Sequence, residues 1–322
     1  MSPRVSFKPP LLNSSSPWAT TKSDLLELYN SPFTGAVTTR TSLSSGFPHN
    51  PNIHQRVIFD SPTATSLNTY GYSPHPLSFY LATINEIILE SGKPQTKPFI
   101  VSITGTPEEA CSAITAVSTF KQDTGHSVLV EINLSCPNIL DKPPPAYSLQ
   151  ELVAYLDAIA ALPPTTFPMH IGLKTPPYTY DGQFVVLLSA LKKHPSIISF
   201  ITSTNTLGSS LHLSSPPRLS TGEGRRVYQP TLSSAAGTGI GGLGGAAIHW
   251  VSLGNVRTIR KMLDAEANGL LLDVAVIGVG GVGDKDGWER MLSAGAEAVG
   301  VATALGAGGV GVFERILEGP VL

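Results

Sequence analysis

Short apolar runs alternate with helix-length stretches along nearly the whole chain, and this alternation most restricts what the chain can fold into. Residues 11–13, 35–39, 99–104, 127–133, 170–174, 197–203, 274–279 and 298–301 read as strands. Residues 23–29, 76–89, 107–121, 149–162, 184–193, 251–264 and 286–294 read as helices. Thr106-Pro107-Glu108-Glu109 places a capping hydroxyl, a first-turn proline and two carboxylates in the order a helix start favours. About eight strands alternating with helices predict repeated βα units and an α/β fold, a (βα)8 TIM barrel with its active site at the C-terminal ends of the strands. An open doubly wound sheet is the alternative, but it calls for a Gly-x-Gly-x-x-Gly turn after the first strand, which is lacking. At 322 residues the chain suits one barrel domain spanning 1–322, with irregular loops at about 42–72 and 211–238 over the barrel mouth.

Glu131-Ile132-Asn133-Leu134-Ser135-Cys136-Pro137-Asn138 sets a thiol between two asparagines just after an apolar strand. Asparagine both donates and accepts, which suits a planar polar ring, and a thiol can act as a base once its surroundings favour thiolate. A buried inert cysteine is the plainer alternative. Two glycine clusters, Gly278-Val279-Gly280-Gly281 and Val299-Gly300-Val301-Ala302-Thr303, follow the last two strands, where barrels place a phosphate site; tight βα turns also use glycine. A third cluster, residues 239–245, reads as either a mobile hinge or a surface lying close to a flat cofactor. Lys174 and Asn205 each end a strand and face the expected mouth, as a fixed cation and a further amide, or else as a solvated lysine and a turn asparagine.

A formal net charge of −2, with 14% charged residues and no long Lys/Arg run, speaks against nucleic acid as a partner. Two cysteines, Cys111 and Cys136, give neither a disulfide framework nor a metal-ligand spacing, so no metal is expected and a reducing compartment fits. No apolar stretch of about 18 residues suggests a membrane span, and the expectation is a soluble, cytoplasmic protein.

Taken in order, these segments resemble the class 1A dihydroorotate dehydrogenases over nearly the whole chain. The resemblance implies FMN as cofactor, oxidation of dihydroorotate to orotate in de novo pyrimidine biosynthesis, fumarate as electron acceptor and a homodimer. It implies Cys136 as the catalytic base. Asn13-Ser14-Ser15-Ser16 is similar to the flavin-cradling first-strand segment, although the family usually has Ala-Ser-Gly after the Asn, and residues 35–42 and 68–72 are similar to the second-strand motif and the substrate loop. Implied substrate residues are Arg40, Asn68, Thr69, Tyr70, Gly71, Tyr72, Asn133, Asn138, Asn205 and Thr206. Implied cofactor residues are Ser15, Arg40, Thr41, Ser42, Asn133, Lys174, Thr204, Gly244, Gly280, Gly281, Ala302 and Thr303. The chain departs from the family pattern at Arg40, where the family has lysine, and at Tyr70, Tyr72 and Ser73-Pro74, which reshape the wall. The region 211–238 is longer than in the family, and Gln229 stands where a family lysine is expected. Those departures keep open an FMN oxidoreductase of the same barrel acting on another dihydropyrimidine or unsaturated acid. Outside that enzyme class stand a non-catalytic FMN-binding paralogue and a flavin-free phosphate-binding barrel.

Overall fold

A computed structural model describes residues 4–59, 64–92, 95, 97–139, 141–163, 166, 169–214, 218–219 and 226–319. In chain order the strands are β1 (Leu11–Asn13), β2 (Val37–Thr38), β3 (Arg56–Phe59), β4 (Thr65–Asn68), β5 (Phe99–Ile103), β6 (Val128–Asn133), β7 (Ile171–Thr175), β8 (Ile198–Ser203), β9 (Leu207–Ser210), β10 (Arg218–Leu219), β11 (Arg226–Val227), β12 (Gly241–Gly245), β13 (Ala275–Val279) and β14 (Ala298–Val301). The helices are α1 (Lys22–Asn30), α2 (Leu77–Ser91), α3 (Pro107–Thr124), α4 (Leu149–Ala160), α5 (Asp181–Lys193), α6 (His249–Asp264), α7 (Lys285–Ala294), α8 (Thr303–Gly308) and α9 (Val312–Glu318).

Eight strands form one parallel sheet in the order β1-β14-β13-β8-β7-β6-β5-β2. Its ends meet where the Gly35 N–H donates to the Leu11 carbonyl at 2.7 Å and Leu12 bridges Ala36. Asn13 locks the same seam, accepting from the Thr38 N–H at 2.8 Å and donating to its carbonyl at 2.6 Å. The period-2 alternation explains why these strands read as continuous apolar runs, since both faces are buried. Phe99, Val101 and Ile103 point outward to the helices, while Ile100 points inward beside Leu12, Ala36, Leu129, Phe200 and Ala275. Gly172 leaves room for the Phe200 ring, because a Cβ there would stand 2.2 Å from it. The inner positions become polar toward the strand ends, at Ser102, Glu131, Asn133 and Lys174, all buried. The barrel floor is thus dry, and its carboxyl-end rim carries the functional groups.

Helix starts follow their caps. Thr106 accepts from the Glu109 N–H while Glu109 accepts from the Thr106 N–H at 2.8 Å, a reciprocal capping box, and Thr21 with Asp24 repeats it on α1. Asp284 accepts from the Gly287 N–H at 2.7 Å to start α7.

The region expected to be irregular between residues 42 and 72 instead holds the hairpin β3–β4, which joins β12 and β9 in a four-stranded sheet ordered β3-β4-β12-β9. The glycine cluster at 239–245, expected as a hinge or cofactor-facing surface, supplies its strand β12. Glycine is poor in isolated strands, yet crowding requires it here: a Cβ on Gly241 would stand 2.2 Å from the Asn68 carbonyl oxygen, and one on Gly242 would stand 2.2 Å from Thr206 Oγ1. Within 211–238, the described residues pair as β10–β11 and as Leu213 with Pro230, while residues 215–217 and 220–225 lie outside the described set.

Candidate active site

A continuous cavity opens at the carboxyl ends of the barrel strands, beneath the four-stranded sheet. Its two lobes share Ser15, Lys174, Asn205, Thr206, Ala302 and Thr303 as common walls.

The first lobe is built mainly of backbone after β12, β13 and β14. Gly244, Gly280, Gly281, Ala302 and Thr303 line it as expected, together with Thr204, Gly245 and Ser14. Gly280 sits at φ +141°, where a Cβ would stand 1.9 Å from Ser252 Oγ; Gly281 sits at φ +72°. Both positions therefore need glycine to let amides approach a ligand closely. The carbonyl of Gly280 is held from below by His249 Nδ1 at 2.8 Å, and Arg290 Nε donates to His249 Nε2 at 3.2 Å. Because Arg290 can only donate, Nε2 is the acceptor and Nδ1 carries the proton that binds Gly280. Ser66 and Thr303 hydroxyls pair at 2.8 Å, tying the sheet over the barrel to this lobe.

The second lobe is made of side chains. Strand β6 delivers Asn133, and the following loop delivers Cys136 and Asn138. Asn205 donates to Asn133 Oδ1 at 3.2 Å and to Ser135 Oγ at 3.0 Å, while Asn133 donates to Thr41 Oγ1 at 3.0 Å. Asn138 donates to Asn68 Oδ1 and to the Tyr70 carbonyl, both at 2.9 Å. The asparagines are thereby fixed to one another, across the join between barrel and sheet. Tyr72 and Gly71 complete the wall beside Cys136.

Burial pushes the Cys136 thiol above its ordinary range, although the residue keeps some exposed surface. The Asn138 backbone N–H, Lys174 and Arg40 each pull it back down. Lys174 is 4% exposed and donates to Ser14 Oγ at 3.1 Å. Its pKa is lowered by burial, opposed by Glu131 and Cys136. Arg40, 7% exposed, is likewise lowered by burial, opposed by Tyr80, Tyr70 and Cys136. Its guanidinium lies over the Tyr70 ring, 5.1 Å from the centroid. Among the described residues no carboxylate comes within ion-pair distance of Arg40, Arg56 or Lys174. A buried cation without a counter-ion is costly, so an anionic ligand is the natural complement of this lobe.

Two expected site residues do not line either lobe. Thr69 turns away, its hydroxyl donating to the Ile53 and Ser233 carbonyls at 2.8 Å each. Ser42 continues the barrel sheet, with its N–H donating to Ser102 and its carbonyl accepting from Thr104. Conversely, Trp18, Arg56 and Pro137 line the second lobe without having been expected there. Arg56 donates to the Tyr70 hydroxyl at 2.9 Å and lies over Trp18 at 5.3 Å. No local pattern marks Arg56, because the β3–β4 hairpin that carries it to the mouth is itself visible only from its pairing with β12.

A parallel barrel with a glycine-built lobe after its last two strands and a thiol–amide lobe beside it defines a (βα)8 barrel with a two-lobed site at its mouth. The chain belongs to the dihydroorotate dehydrogenase family, whose profile matches residues 2–319, a family of flavoprotein oxidoreductases. It is 27% identical over 312 residues to a dihydroorotate dehydrogenase (fumarate) of Saccharomyces paradoxus, covering 96% of this chain and 88% of the relative. A Saccharomyces cerevisiae relative of the same name gives the same identity and coverage. Solved DHODH structures from Eimeria tenella share the fold, with TM-scores of 0.66 and 0.71 at 17% identity, covering 98% of this chain and 85% and 81% of theirs.

Proposed function

We propose that this chain oxidises (S)-dihydroorotate to orotate with FMN as its flavin and fumarate as its electron acceptor, in de novo pyrimidine synthesis. One observation carries the reading: Cys136 shares its lobe with two hydrogen-bonded asparagine pairs, Asn133–Asn205 and Asn68–Asn138, and with two buried cations, Arg40 and Lys174, that have no carboxylate partner among the described residues. The donor set suits FMN. The glycine lobe offers amides to a phosphate, Lys174 offers a fixed positive charge to the ring system, and Ser16 Oγ is a buried hydroxyl of the second lobe with no partner in the protein. Ser15, Thr41, Asn133, Thr204, Gly244, Gly280, Gly281, Ala302 and Thr303 are the further residues that would hold it. When bound, FMN would supply two-electron chemistry, as hydride acceptor in one half-reaction and hydride donor in the other.

The protein's own groups do the rest. Cys136 as thiolate removes the C5 proton of dihydroorotate, so that the C5–C6 double bond of orotate forms as the hydride leaves. The Cys136 thiol later returns a proton to the fumarate carbon opposite the one that receives hydride, and succinate results. Asn68, Asn133, Asn138 and Asn205 hold the pyrimidine edges, and Arg40 pairs with the substrate carboxylate. Tyr70, Gly71, Tyr72 and Thr206 shape the wall. The four-stranded sheet covers the lobe and limits water around the thiol.

The family resemblance supports a homodimer acting in the cytoplasm. Exposed Leu211, Leu213, Tyr228 and Ile240 offer apolar surface for such a contact, and no described helix is long and apolar enough to cross a membrane. The test is anaerobic bleaching of the holoprotein's flavin absorbance by dihydroorotate, followed by recovery with fumarate. Bleaching and recovery support both half-reactions. A flavin that dihydroorotate leaves oxidised overturns the substrate and points to the altered Tyr70–Tyr72 wall.

A further inference from the structure

Tyr70 connects two guanidinium groups. Arg40 lies against the face of its ring, 5.1 Å from the centroid, and Arg56 donates to its hydroxyl at 2.9 Å. The ring itself is fixed. The Tyr70 N–H donates to Asn68 Oδ1 at 3.2 Å, its carbonyl accepts from Asn138 at 2.9 Å, and His49 stacks alongside at 5.8 Å. Arg56 is braced on its other side by Trp18, at 5.3 Å. Both guanidinium groups line the same lobe as Cys136, and they are close enough for Arg56 to lower the pKa of Arg40. Like charges repel, so holding two side by side without a carboxylate between them is unfavourable until an anion arrives.

The count of charges decides what that anion is. Lys174 lies at the inner end, shared between the two lobes, where the reading above places the flavin. Arg40 and Arg56 remain for the substrates. Dihydroorotate has one carboxylate and neutralises one of them; a four-carbon dicarboxylate has two, at opposite ends, and neutralises both. We infer that Arg56, positioned by Tyr70, is the anchor for the second carboxylate of the acceptor, making the site selective for dicarboxylate oxidants through a pair of guanidinium groups. This rests on the proposed dehydrogenase reading and extends it to a residue that reading leaves without a task. Arg56 is exposed at the rim, so its contribution is moderate and falls as salt rises. Because a rim charge binds ground state and transition state alike, its loss appears in KM more than in kcat.

The experiment compares wild type, Arg56→Gln, Arg56→Lys and Tyr70→Phe, all as FMN-loaded protein. The expected result is that Arg56→Gln raises KM for fumarate about five- to tenfold relative to any change in KM for dihydroorotate. Its kcat stays near wild type, and a monocarboxylate enoate used as acceptor is affected far less. Arg56→Lys recovers part of the loss by restoring charge without the planar fork, and Tyr70→Phe moves in the same direction as Arg56→Gln by releasing Arg56. Parallel changes for fumarate and dihydroorotate, or an unchanged KM for fumarate, overturn the inference and leave Arg56 as a brace for the hairpin. Succinate titrated into the oxidised holoprotein and followed by flavin absorbance separates this from the dehydrogenase reading. If dihydroorotate never bleaches the wild type but succinate binds five- to tenfold more weakly to Arg56→Gln, that reading fails and this one stands. Equal succinate binding by both proteins, or none by wild type, overturns the inference.

Discussion

The glycine lobe and the thiol lobe occupy the same cavity but are made of different material. Around the first, the walls are backbone whose path is forced by crowding: a Cβ on Gly245 would stand 2.2 Å from the Ala64 carbonyl oxygen, and one on Gly280 would stand 1.9 Å from Ser252 Oγ. Around the second, the walls are side chains that lock one another through amide hydrogen bonds, such as Asn138 to Asn68 and Asn205 to Asn133. A backbone site offers only main-chain N–H and C=O groups, and which of them face a ligand depends on path alone. A side-chain site can change its chemistry by substitution while the path stays the same, and Arg40, Tyr70 and Tyr72 line this lobe. On the proposed reading, the glycine lobe anchors the cofactor and the thiol lobe sets what is oxidised or reduced.

Substitutions can break that division of labour. The largest effect is expected for Cys136→Ser, which should lower turnover with dihydroorotate by about a hundredfold or more while FMN content stays near wild type; turnover close to wild type at pH 8 would sink the base assignment. Gly280→Ala should act in the opposite sense, weakening FMN binding by roughly tenfold or more, since the new Cβ meets Ser252 and the positive φ disfavours it. Flavin fluorescence titration reads this directly, and undiminished affinity would show that the loop relaxes and that path is not the constraint claimed.

A finer probe is the pH dependence of kcat/KM for dihydroorotate. Burial raises the Cys136 thiol, so activity should climb with pH well into the alkaline range. Arg40 is one of the groups holding that thiol down, so Arg40→Gln should move the rising limb to still higher pH, in addition to weakening substrate binding. A limb that moved to lower pH would separate Arg40 from the thiol.

Smallest, and a control from the opposite face of the barrel, is Lys97, whose buried ammonium donates to the Ser31 carbonyl and to Thr34 at 2.8 Å. Burial lowers its pKa to about 8, whereas in the unfolded chain it titrates near 10.4, roughly the free value. Between those two values the unfolded chain binds more protons than the folded one, so this group makes stability rise with pH across that window. Lys97→Met should flatten the rise, as read by Tm at pH 7.5 and pH 9.5, without affecting either lobe. An unchanged slope would mean the lysine is better solvated than its surroundings imply.

Much of this architecture is legible in the residues. The strand at 99–104 is found at Phe99–Ile103, and the one at 127–133 at Val128–Asn133, because strands buried on both faces read as unbroken apolar runs. Short, weakly patterned elements escape. Helices α8 and α9 span six and seven residues, too few to show a period. The site divides in the same way. Cys136, its flanking asparagines and the glycines after β13 and β14 stand where local order predicts them, while Thr69 and Ser42 are held by backbone partners away from both lobes.

By itself the sequence determined the barrel, the end of it that carries the chemistry, and the identity of the thiol and of the glycine turns, since each is a local matter of period, cap and turn. Only the tertiary structure decided that a glycine run becomes a strand, that a hairpin closes over the mouth, and that Arg56 and Trp18 reach the thiol lobe. Those outcomes depend on a pairing between segments far apart in the chain, Gly242 of β12 opposite Asn68 of β4, which seats the β3–β4 hairpin and its Arg56 at the mouth. The free energy of such pairing belongs to both strands together, so neither segment read alone reveals it.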